Sequence, residues 1–288
     1  MHIRATPSLS FCRKERPPLV CAHGGDTETA PPNTARSFHA AIAGGADCVE
    51  IDAARTKDGK LVVLHVRELA QLLGAKATPR VQVQVGDMTL AQLRALRWPG
   101  GGDSILTVEE AVAITSPLVS SVILDVKTYQ DQDGSPVDEE VLAQLLVQLC
   151  YTTQCSNCLV WAKSDVIVQR IKELSPGQRV GFIVMNETAE AVAAGMHLPL
   201  RMLEPEVVGM HHAMVDTEMV QLLHEKGKRV LVWTINQPQL MHYMLDVGVD
   251  ALVTNFPRLV LEAIEYRLGK CGQVLSSSRG DSISAQDL

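Results

Sequence analysis

Short apolar runs alternate with helical patterns along most of the chain, and this alternation limits the fold more than any other feature of the sequence. We predict nine strands, rich in β-branched and aliphatic residues, at 19–23, 47–52, 61–65, 121–127, 158–162, 179–184, 206–210, 229–236 and 250–255. Helical patterns lie between most of them, at 33–44, 137–151, 165–174, 216–226, 238–247 and 257–268, with Asn33 as the N-cap of the first. Apolar strands that alternate with helices indicate a parallel sheet buried on both faces.

The chain length agrees with one barrel domain. A (β/α)8 barrel takes about 250 residues, and no GxGxxG motif follows the first strand to favour a doubly wound sheet. Nine strands are one more than the barrel needs, and 206–210 is the weakest pattern among them. We therefore predict an α/β fold, a TIM barrel over residues 18–268 with a small insertion at about 66–105, after the third strand. That insertion is either a lid over one mouth of the barrel or a connecting segment with no role in function. Residues 1–17 would be an N-terminal extension and 269–288 a disordered tail.

Charge and apolar runs exclude several classes of protein. The net charge of −7 differs from the basic footprint of proteins that bind nucleic acids or anionic membranes. It is compatible with an anionic substrate if a divalent cation is bound. No run reaches the ~18 apolar residues of a membrane span, and no signal-peptide pattern begins the sequence.

The seven cysteines are spread along the chain, and several lie within apolar runs. We expect them to act as small apolar side chains in a reducing, cytoplasmic compartment. Cys155 and Cys158 have CxxC spacing, but there is no second pair of the kind that indicates zinc.

Polar residues recur at the carboxyl ends of the predicted strands, where barrel enzymes carry out their chemistry. In chain order these residues are His23, Glu50, Asp52, His65, Asp125, Lys127, Trp233 and Asn236. Residues at positions i and i+2 share one face of a strand. If that face is the barrel interior, three carboxylates, two imidazoles and one ammonium meet at one mouth.

Such a group of side chains predicts metal-assisted cleavage of a phosphodiester. Three carboxylates in a dry pocket require a cation, and oxygen ligands favour Mg²⁺ or Ca²⁺ over Zn²⁺. The ion would bind phosphate oxygens, Lys127 would add a positive charge, and His23 and His65 would act as general acid and base. The alternative is structural, because a lone histidine at a strand end is more often a hydrogen-bonded packing residue.

The same residues resemble the glycerophosphodiester phosphodiesterase family, a metal-dependent branch of the phospholipase-C-like barrels. The matching segments are His23-Gly24-Gly25, Pro31-Pro32-Asn33-Thr34, Gly45 to Asp52, Lys57-Asp58-Gly59, Leu64-His65, Asp125-Val126-Lys127, Val232 to Asn236 and Gly248 to Asn255. The resemblance spans about Pro18 to Leu268 and is greatest for a plant-type subgroup. Members of that subgroup often carry an N-terminal membrane anchor, which we do not find in this sequence.

The resemblance implies a role for each matched residue. Glu50, Asp52 and Asp125 match the metal ligands, His23 and His65 the acid–base pair, Lys127 the phosphate contact and Trp233 an aromatic wall beside the substrate. Asn236 follows Trp233 closely and is a further substrate-binding candidate. The implied reaction is hydrolysis of a small glycerophosphodiester, such as glycerophosphocholine, to glycerol 3-phosphate and an alcohol, with Mg²⁺ or Ca²⁺ as cofactor.

Four positions depart from the family pattern. Gly24 replaces an arginine that clamps phosphate, Pro32 replaces a glutamate, Val66 replaces an aspartate, and Asp125 is one methylene shorter than the usual glutamate. Losing a bidentate arginine removes charge-assisted hydrogen bonds worth about 1.5–3 kcal/mol each. Two alternatives therefore stay open. One is a weak or inactive barrel that binds phosphodiesters or lipid head groups, and the other is a lysophospholipase D-type activity.

Overall fold

Eight parallel strands close into a barrel in the computed structural model of the protein, which describes residues 9–12, 16–74, 83–98, 101–129 and 138–274. The barrel strands are β1 (Leu19–His23), β2 (Cys48–Arg55), β4 (Ser121–Val126), β5 (Cys158–Ala162), β6 (Arg179–Val184), β7 (Val207–His211), β8 (Arg229–Trp233) and β9 (Ala251–Thr254). Strand β1 pairs in parallel with both β9 and β2, which closes the sheet. The predicted (β/α)8 barrel is confirmed.

Helices alternate with the strands, and most of them pack against the outer face of the barrel. They are α1 (Leu9–Cys12), α2 (Ala35–Ala43), α3 (Val66–Leu73), α4 (Leu90–Arg94), α5 (Val108–Thr115), α6 (Glu139–Thr152), α7 (Asp165–Leu174), α8 (Ala189–Ala193), α9 (Thr217–Glu225), α10 (Pro238–Val247) and α11 (Pro257–Lys270). Among the described residues, no helix combines the length and apolar character that a membrane span requires.

The core has two layers because side chains alternate along each strand. In β1, Val20 and Ala22 belong to the large apolar cluster between the strands and the helices. Leu19 and Cys21 belong to a second cluster inside the barrel. His23, two residues beyond Cys21, therefore projects from the same inner face at the carboxyl mouth of the barrel. The packed interior is the floor of the site described below.

The ninth strand, β3 (Leu61–Val63), lies outside the barrel and runs antiparallel to the end of β2. The suggestion that 206–210 is the extra strand was therefore wrong, since β7 occupies that place in the barrel. The short turn around Gly59 explains β3, because a parallel partner needs a crossover of about a dozen residues. Gly209 explains the weak pattern of β7, because a Cβ there would lie 2.7 Å from Cζ3 of Trp161 inside the barrel.

The segment predicted as an insertion has a small core of its own. It carries α3, a short 3-10 turn and α4, and these elements pack around buried apolar residues that include Leu64, Leu69, Val85 and Leu93. Residues 75–82 and 99–100 of this segment lie outside the described residues. The β3 end and α3 thus form one rim of the carboxyl mouth.

Six of the seven cysteines are paired. The disulfides are Cys12–Cys271, Cys21–Cys48 and Cys155–Cys158, while Cys150 is buried and unpaired. The expectation of unpaired apolar cysteines was wrong for these six, and it no longer supports a reducing compartment. The pairing could not be inferred from spacing, because two of the bonds join residues 27 and 259 positions apart.

The two ends of the described chain meet at the first of these disulfides, which joins α1 to the residue after α11. Helix α11 continues through Lys270, beyond the predicted start of a disordered tail at 269. Residues 275–288 of that predicted tail lie outside the described residues, as do residues 1–8 and 13–15 of the predicted extension.

Candidate active site

Three carboxylates converge at the carboxyl mouth of the barrel, as the strand pattern predicted. Glu50 and Asp52 lie two residues apart on β2, and Asp52 is in register with Asp125 on β4. One oxygen from each carboxylate lies within 4.8 Å of the others. We call these three residues the acidic cluster. Glu50 and Asp52 are 1% exposed, so water does little to screen their repulsion.

Lys127 supplies the positive charge beside the acidic cluster. Its Nζ lies 2.6 Å from Oδ1 of Asp52 and also donates a hydrogen bond to the Asp125 carboxylate. Burial opposes the charge on Lys127, but the carboxylates of Asp125, Asp52 and Glu50 raise its pKa above the ordinary value. Burial would likewise raise the pKa of Asp52, but the Lys127 ammonium lowers it overall. Both groups are therefore charged at neutral pH.

Glu50 shows why the acidic cluster fits a divalent cation. Its Oε2 accepts a hydrogen bond from the Gly24 N–H at 3.1 Å, while its Oε1 is buried with no hydrogen-bond partner among the described residues. Burial, Asp52 and Asp125 together raise the pKa of Glu50 well above its usual value. With all groups ionised, the three carboxylates and Lys127 leave two negative charges uncompensated. A hard divalent cation would balance that charge through oxygen ligands.

His23 is held by Asn255, which is itself held by Asn236. Its Nδ1 lies 2.7 Å from Oδ1 of Asn255, the residue after β9, so Nδ1 carries the proton in this arrangement. The Asn255 N–H in turn donates to Oδ1 of Asn236 at 2.9 Å. Burial lowers the pKa of His23, so the ring is neutral at pH 7 with the Nε2 lone pair available. Asn236 therefore positions Asn255 here, and its predicted substrate contact stays a prediction.

His65 lies on the rim and not at a strand end. Strand β3 ends at Val63, and His65 is the N-cap of α3. Its Nδ1 accepts a hydrogen bond from the Arg67 N–H at 3.1 Å, so the proton of the neutral ring is on Nε2. Burial lowers the pKa of His65 to about 4, against the opposing charge of Asp52. His23 and His65 both interact electrostatically with Asp52, so the two imidazoles belong to one site.

Asn33 has a different role from the predicted one. The N-cap of α2 is Thr34, whose hydroxyl accepts from the Ser37 N–H at 3.2 Å. The Asn33 Nδ2 instead donates to Asp52 Oδ2 at 2.6 Å and to both oxygens of Glu68 at 3.0 and 3.1 Å. Asn33 holds a positive φ of 62°, a conformation that asparagine tolerates better than most residues.

Glu68 is a fourth buried carboxylate near the site, and it was not among the residues predicted from the sequence. It is 1% exposed, and it accepts from Asn33 and from the His65 N–H at 3.0 Å. Burial and the charge of Asp52 raise the pKa of Glu68 to about 7. A signal was present, because His65 and Glu68 have the N-cap and N3 spacing of a capping box. Glu68 lies in the segment predicted as an insertion, where no strand and helix of the barrel pattern mark a site residue.

The wall of the mouth across from the acidic cluster is aromatic. Trp233 ends β8 in register with His211, which ends β7, and their ring centroids are 5.2 Å apart. The ring of His212 lies 4.3 Å from that of His211. Glu187, in the loop after β6, places Oε1 3.3 Å from Nε2 of His211. Of these residues, only Trp233 was a predicted site residue.

Comparison with known proteins places this architecture in one family. Residues 23–259 match the model of the Glycerophosphoryl diester phosphodiesterase family. The chain is 38% identical over 261 residues to glycerophosphodiester phosphodiesterase GDPD4 of Arabidopsis thaliana, covering 88% of this chain and 76% of that protein. It is 24% identical over 258 residues to a glycerophosphodiester phosphodiesterase of Caldanaerobacter subterraneus, covering 85% and 97%.

Solved structures show the same fold. A putative glycerophosphoryl diester phosphodiesterase from Silicibacter pomeroyi superposes with a TM-score of 0.71 at 20% identity, covering 90% of this chain and 97% of that one. An Oleispira antarctica phosphodiesterase, solved in complex with the product sn-glycerol-3-phosphate, gives 0.69 at 24% identity, covering 86% and 97%. From the match along most of its length, the chain belongs to the glycerophosphoryl diester phosphodiesterase family.

Proposed function

We propose that this chain hydrolyses glycerophosphodiesters, such as glycerophosphocholine, to glycerol 3-phosphate and the free alcohol. The observation that carries the proposal is the convergence of the acidic cluster, Lys127 and two neutral imidazoles at the carboxyl mouth of the barrel. Family membership supports the reaction class. The product named for the Oleispira antarctica relative supports the choice of glycerol 3-phosphate.

The residues fit a divalent cation, Mg²⁺ or Ca²⁺. Glu50, Asp52 and Asp125 would hold it, since their oxygens are close together and carry uncompensated negative charge. When bound, the ion would supply Lewis acidity toward the phosphate oxygens. Lys127 neutralises part of the charge of Asp52 and Asp125, and we propose that its ammonium also contacts the substrate phosphate.

The two histidines have different roles at the reacting oxygens. His23 donates Nδ1–H to Asn255, so its Nε2 can take the proton of the attacking hydroxyl, either water or the glycerol hydroxyl of the substrate. His65 accepts at Nδ1 from the backbone, so its neutral ring presents Nε2–H as a hydrogen-bond donor to the leaving oxygen. The leaving oxygen takes its proton from water, and His23 returns the proton it has gained to the solvent. General-base catalysis of this kind is worth about 10²–10⁴ in rate. We therefore assign His23 as the general base and His65 as the hydrogen-bond donor to the leaving oxygen.

The test is release of glycerol 3-phosphate from glycerophosphocholine by the purified protein. It is run with EDTA, with Mg²⁺ and with Ca²⁺, beside His23→Ala. We expect release that needs one of the ions and that falls by roughly 10²-fold or more in the variant. No release with either ion, from folded protein that binds the ion, would contradict the proposal.

A second candidate has one specific observation in its favour. Gly24 stands where the family has a phosphate-clamping arginine, and here it offers only a backbone N–H, which is bonded to Glu50. A barrel that binds phosphodiesters or lipid head groups without cleaving them is therefore the alternative, together with a lysophospholipase D-type activity. Assaying lysophosphatidylcholine beside glycerophosphocholine, and measuring binding where neither is cleaved, separates the three.

A further inference from the structure

Strand β7 lies diametrically across the barrel from β2. Around the closed sheet, β7 is four strands from β2 in either direction. The side chain of His211 faces inward. A Cβ at Gly209, two residues earlier on the same face of the strand, would meet Trp161 inside the barrel. Trp233, the register partner of His211, shares that inner face. His211 and Trp233 therefore face the acidic cluster across the mouth.

This wall combines a carboxylate with aromatic faces. Glu187 is 41% exposed, and its partner within the described ranges is the imidazole of His211. Burial lowers the pKa of His211 in spite of Glu187, so the imidazole is neutral at pH 7 and leaves the carboxylate charge unbalanced. The described part of the chain places no lysine or arginine in an ion pair with Glu187. A negative charge thus lies beside the ring of His211, which in turn neighbours the ring of Trp233.

We propose that Glu187, His211 and Trp233 form a subsite for a cationic head group, the ammonium or quaternary ammonium of an amino alcohol esterified to the phosphate. This proposal rests on the function proposed above, which holds the phosphate at the acidic cluster. A cation is attracted both by an aromatic face and by a nearby carboxylate. A neutral polyol gains neither attraction, and an acidic head group would be repelled by Glu187.

The experiment compares kcat/KM for three glycerophosphodiesters that differ in the alcohol, namely glycerophosphocholine, glycerophosphoethanolamine and glycerophosphoglycerol. We expect the wild type to favour the two cationic substrates over the neutral one. We expect Glu187→Gln to reduce that preference by roughly twofold to fivefold, the range of a partly exposed ion pair, because the aromatic faces remain in place. The matched control is Glu190→Gln, which removes an equal charge from an exposed position on α8 and should leave the preference unchanged.

A second measurement does not depend on hydrolysis. Saturation-transfer NMR of tetramethylammonium reports cation binding directly, and we expect its signal to weaken in Glu187→Gln but not in Glu190→Gln. If the wild type cleaves no diester, the proposed function fails while this measurement still tests the subsite. Equal preference among the three substrates in the wild type, an equal loss on all three in Glu187→Gln, or an unchanged NMR signal would each overturn the subsite.

Discussion

Asn33 fixes Asp52 through two hydrogen bonds. The Asn33 amide donates from Nδ2 to Oδ2 of Asp52 at 2.6 Å, and its Oδ1 accepts from the Asp52 N–H at 3.3 Å. The same Nδ2 donates to Glu68, which is bonded to the backbone of His65. One amide therefore connects the acidic cluster to the rim that carries the second histidine. This arrangement sets the direction of Asp52 before any ligand arrives.

Asn33→Ala is expected to weaken divalent-cation binding about 10- to 100-fold, the usual effect of removing a group that orients a metal ligand. The cause is the freedom that Asp52 would gain. Titration calorimetry with Mg²⁺ and Ca²⁺ measures the affinity without any need for turnover. Asn186→Ala, at an exposed position after β6, is the matched control. An unchanged dissociation constant in Asn33→Ala would show that Asp52 does not depend on this amide.

Glu68 predicts a pH-dependent stability of the metal-free protein. Burial and Asp52 raise the pKa of Glu68 to about 7 in the folded state. Its contribution to the free energy of unfolding is therefore complete below its pKa in the unfolded chain, and it is lost as the pH rises through about 7. In EDTA, the stability of the wild type should therefore fall between pH 5 and pH 8. Glu68→Gln should reduce that fall by up to about 3 kcal/mol, measured by urea unfolding at both pH values. Parallel falls in the two proteins would contradict this explanation.

Asn255 should affect turnover and leave ion binding unchanged. Asn255→Leu removes the acceptor for Nδ1 of His23, so the ring is free to rotate or to change tautomer. We expect kcat to fall by about tenfold to a hundredfold, part of the value of general-base catalysis. Calorimetry should give the same affinity for Mg²⁺ as in the wild type. A drop in ion affinity equal to the drop in kcat would instead indicate general damage to the site.

Two departures from the family pattern lie against each other. Gly24 has a φ of +65°, and a Cβ there would lie 3.1 Å from the Cβ of Pro32. Gly24→Arg should therefore destabilise the fold by about 2 kcal/mol, through backbone strain together with crowding. Gly59→Arg is the control, because its φ of +75° is similar but its Cβ would meet no atom within 4 Å. Thermal unfolding should show a larger loss for Gly24→Arg, and equal losses would count against the contact with Pro32.

Strand ends were predictable from the sequence because burial and alternation are local properties. Glu50, Asp52 and Asp125 interrupt apolar runs, and the barrel topology alone brings such positions together. His65 belongs to the same site but reaches it as the N-cap of a rim helix, after an antiparallel hairpin. A pattern of apolar residues cannot distinguish a strand end from a helix N-cap that directly follows a short strand.

Contacts between distant segments of the chain could not be predicted from the sequence. Asn33 matched the sequence rule for an N-cap, yet Thr34 next to it could serve equally well, and the choice depends on Asp52 and Glu68 elsewhere in the chain. Gly209 weakened the apolar pattern that predicts β7, and a glycine is needed there because the ring of Trp161 fills the space that a side chain would occupy. In both cases a tertiary neighbour outweighed the local preference.

The disulfide between Cys12 and Cys271 makes most of the chain into a covalent ring, since its partners are 259 residues apart. One backbone cut at exposed Lys57, in the turn before β3, would therefore release neither fragment. A tryptic digest stopped at that single cut would run as one species on a non-reducing gel and as two after reduction. Because the Cα atoms of Cys12 and Cys271 are 5.5 Å apart, a circularly permuted chain opened at this turn needs only a short linker between these two positions.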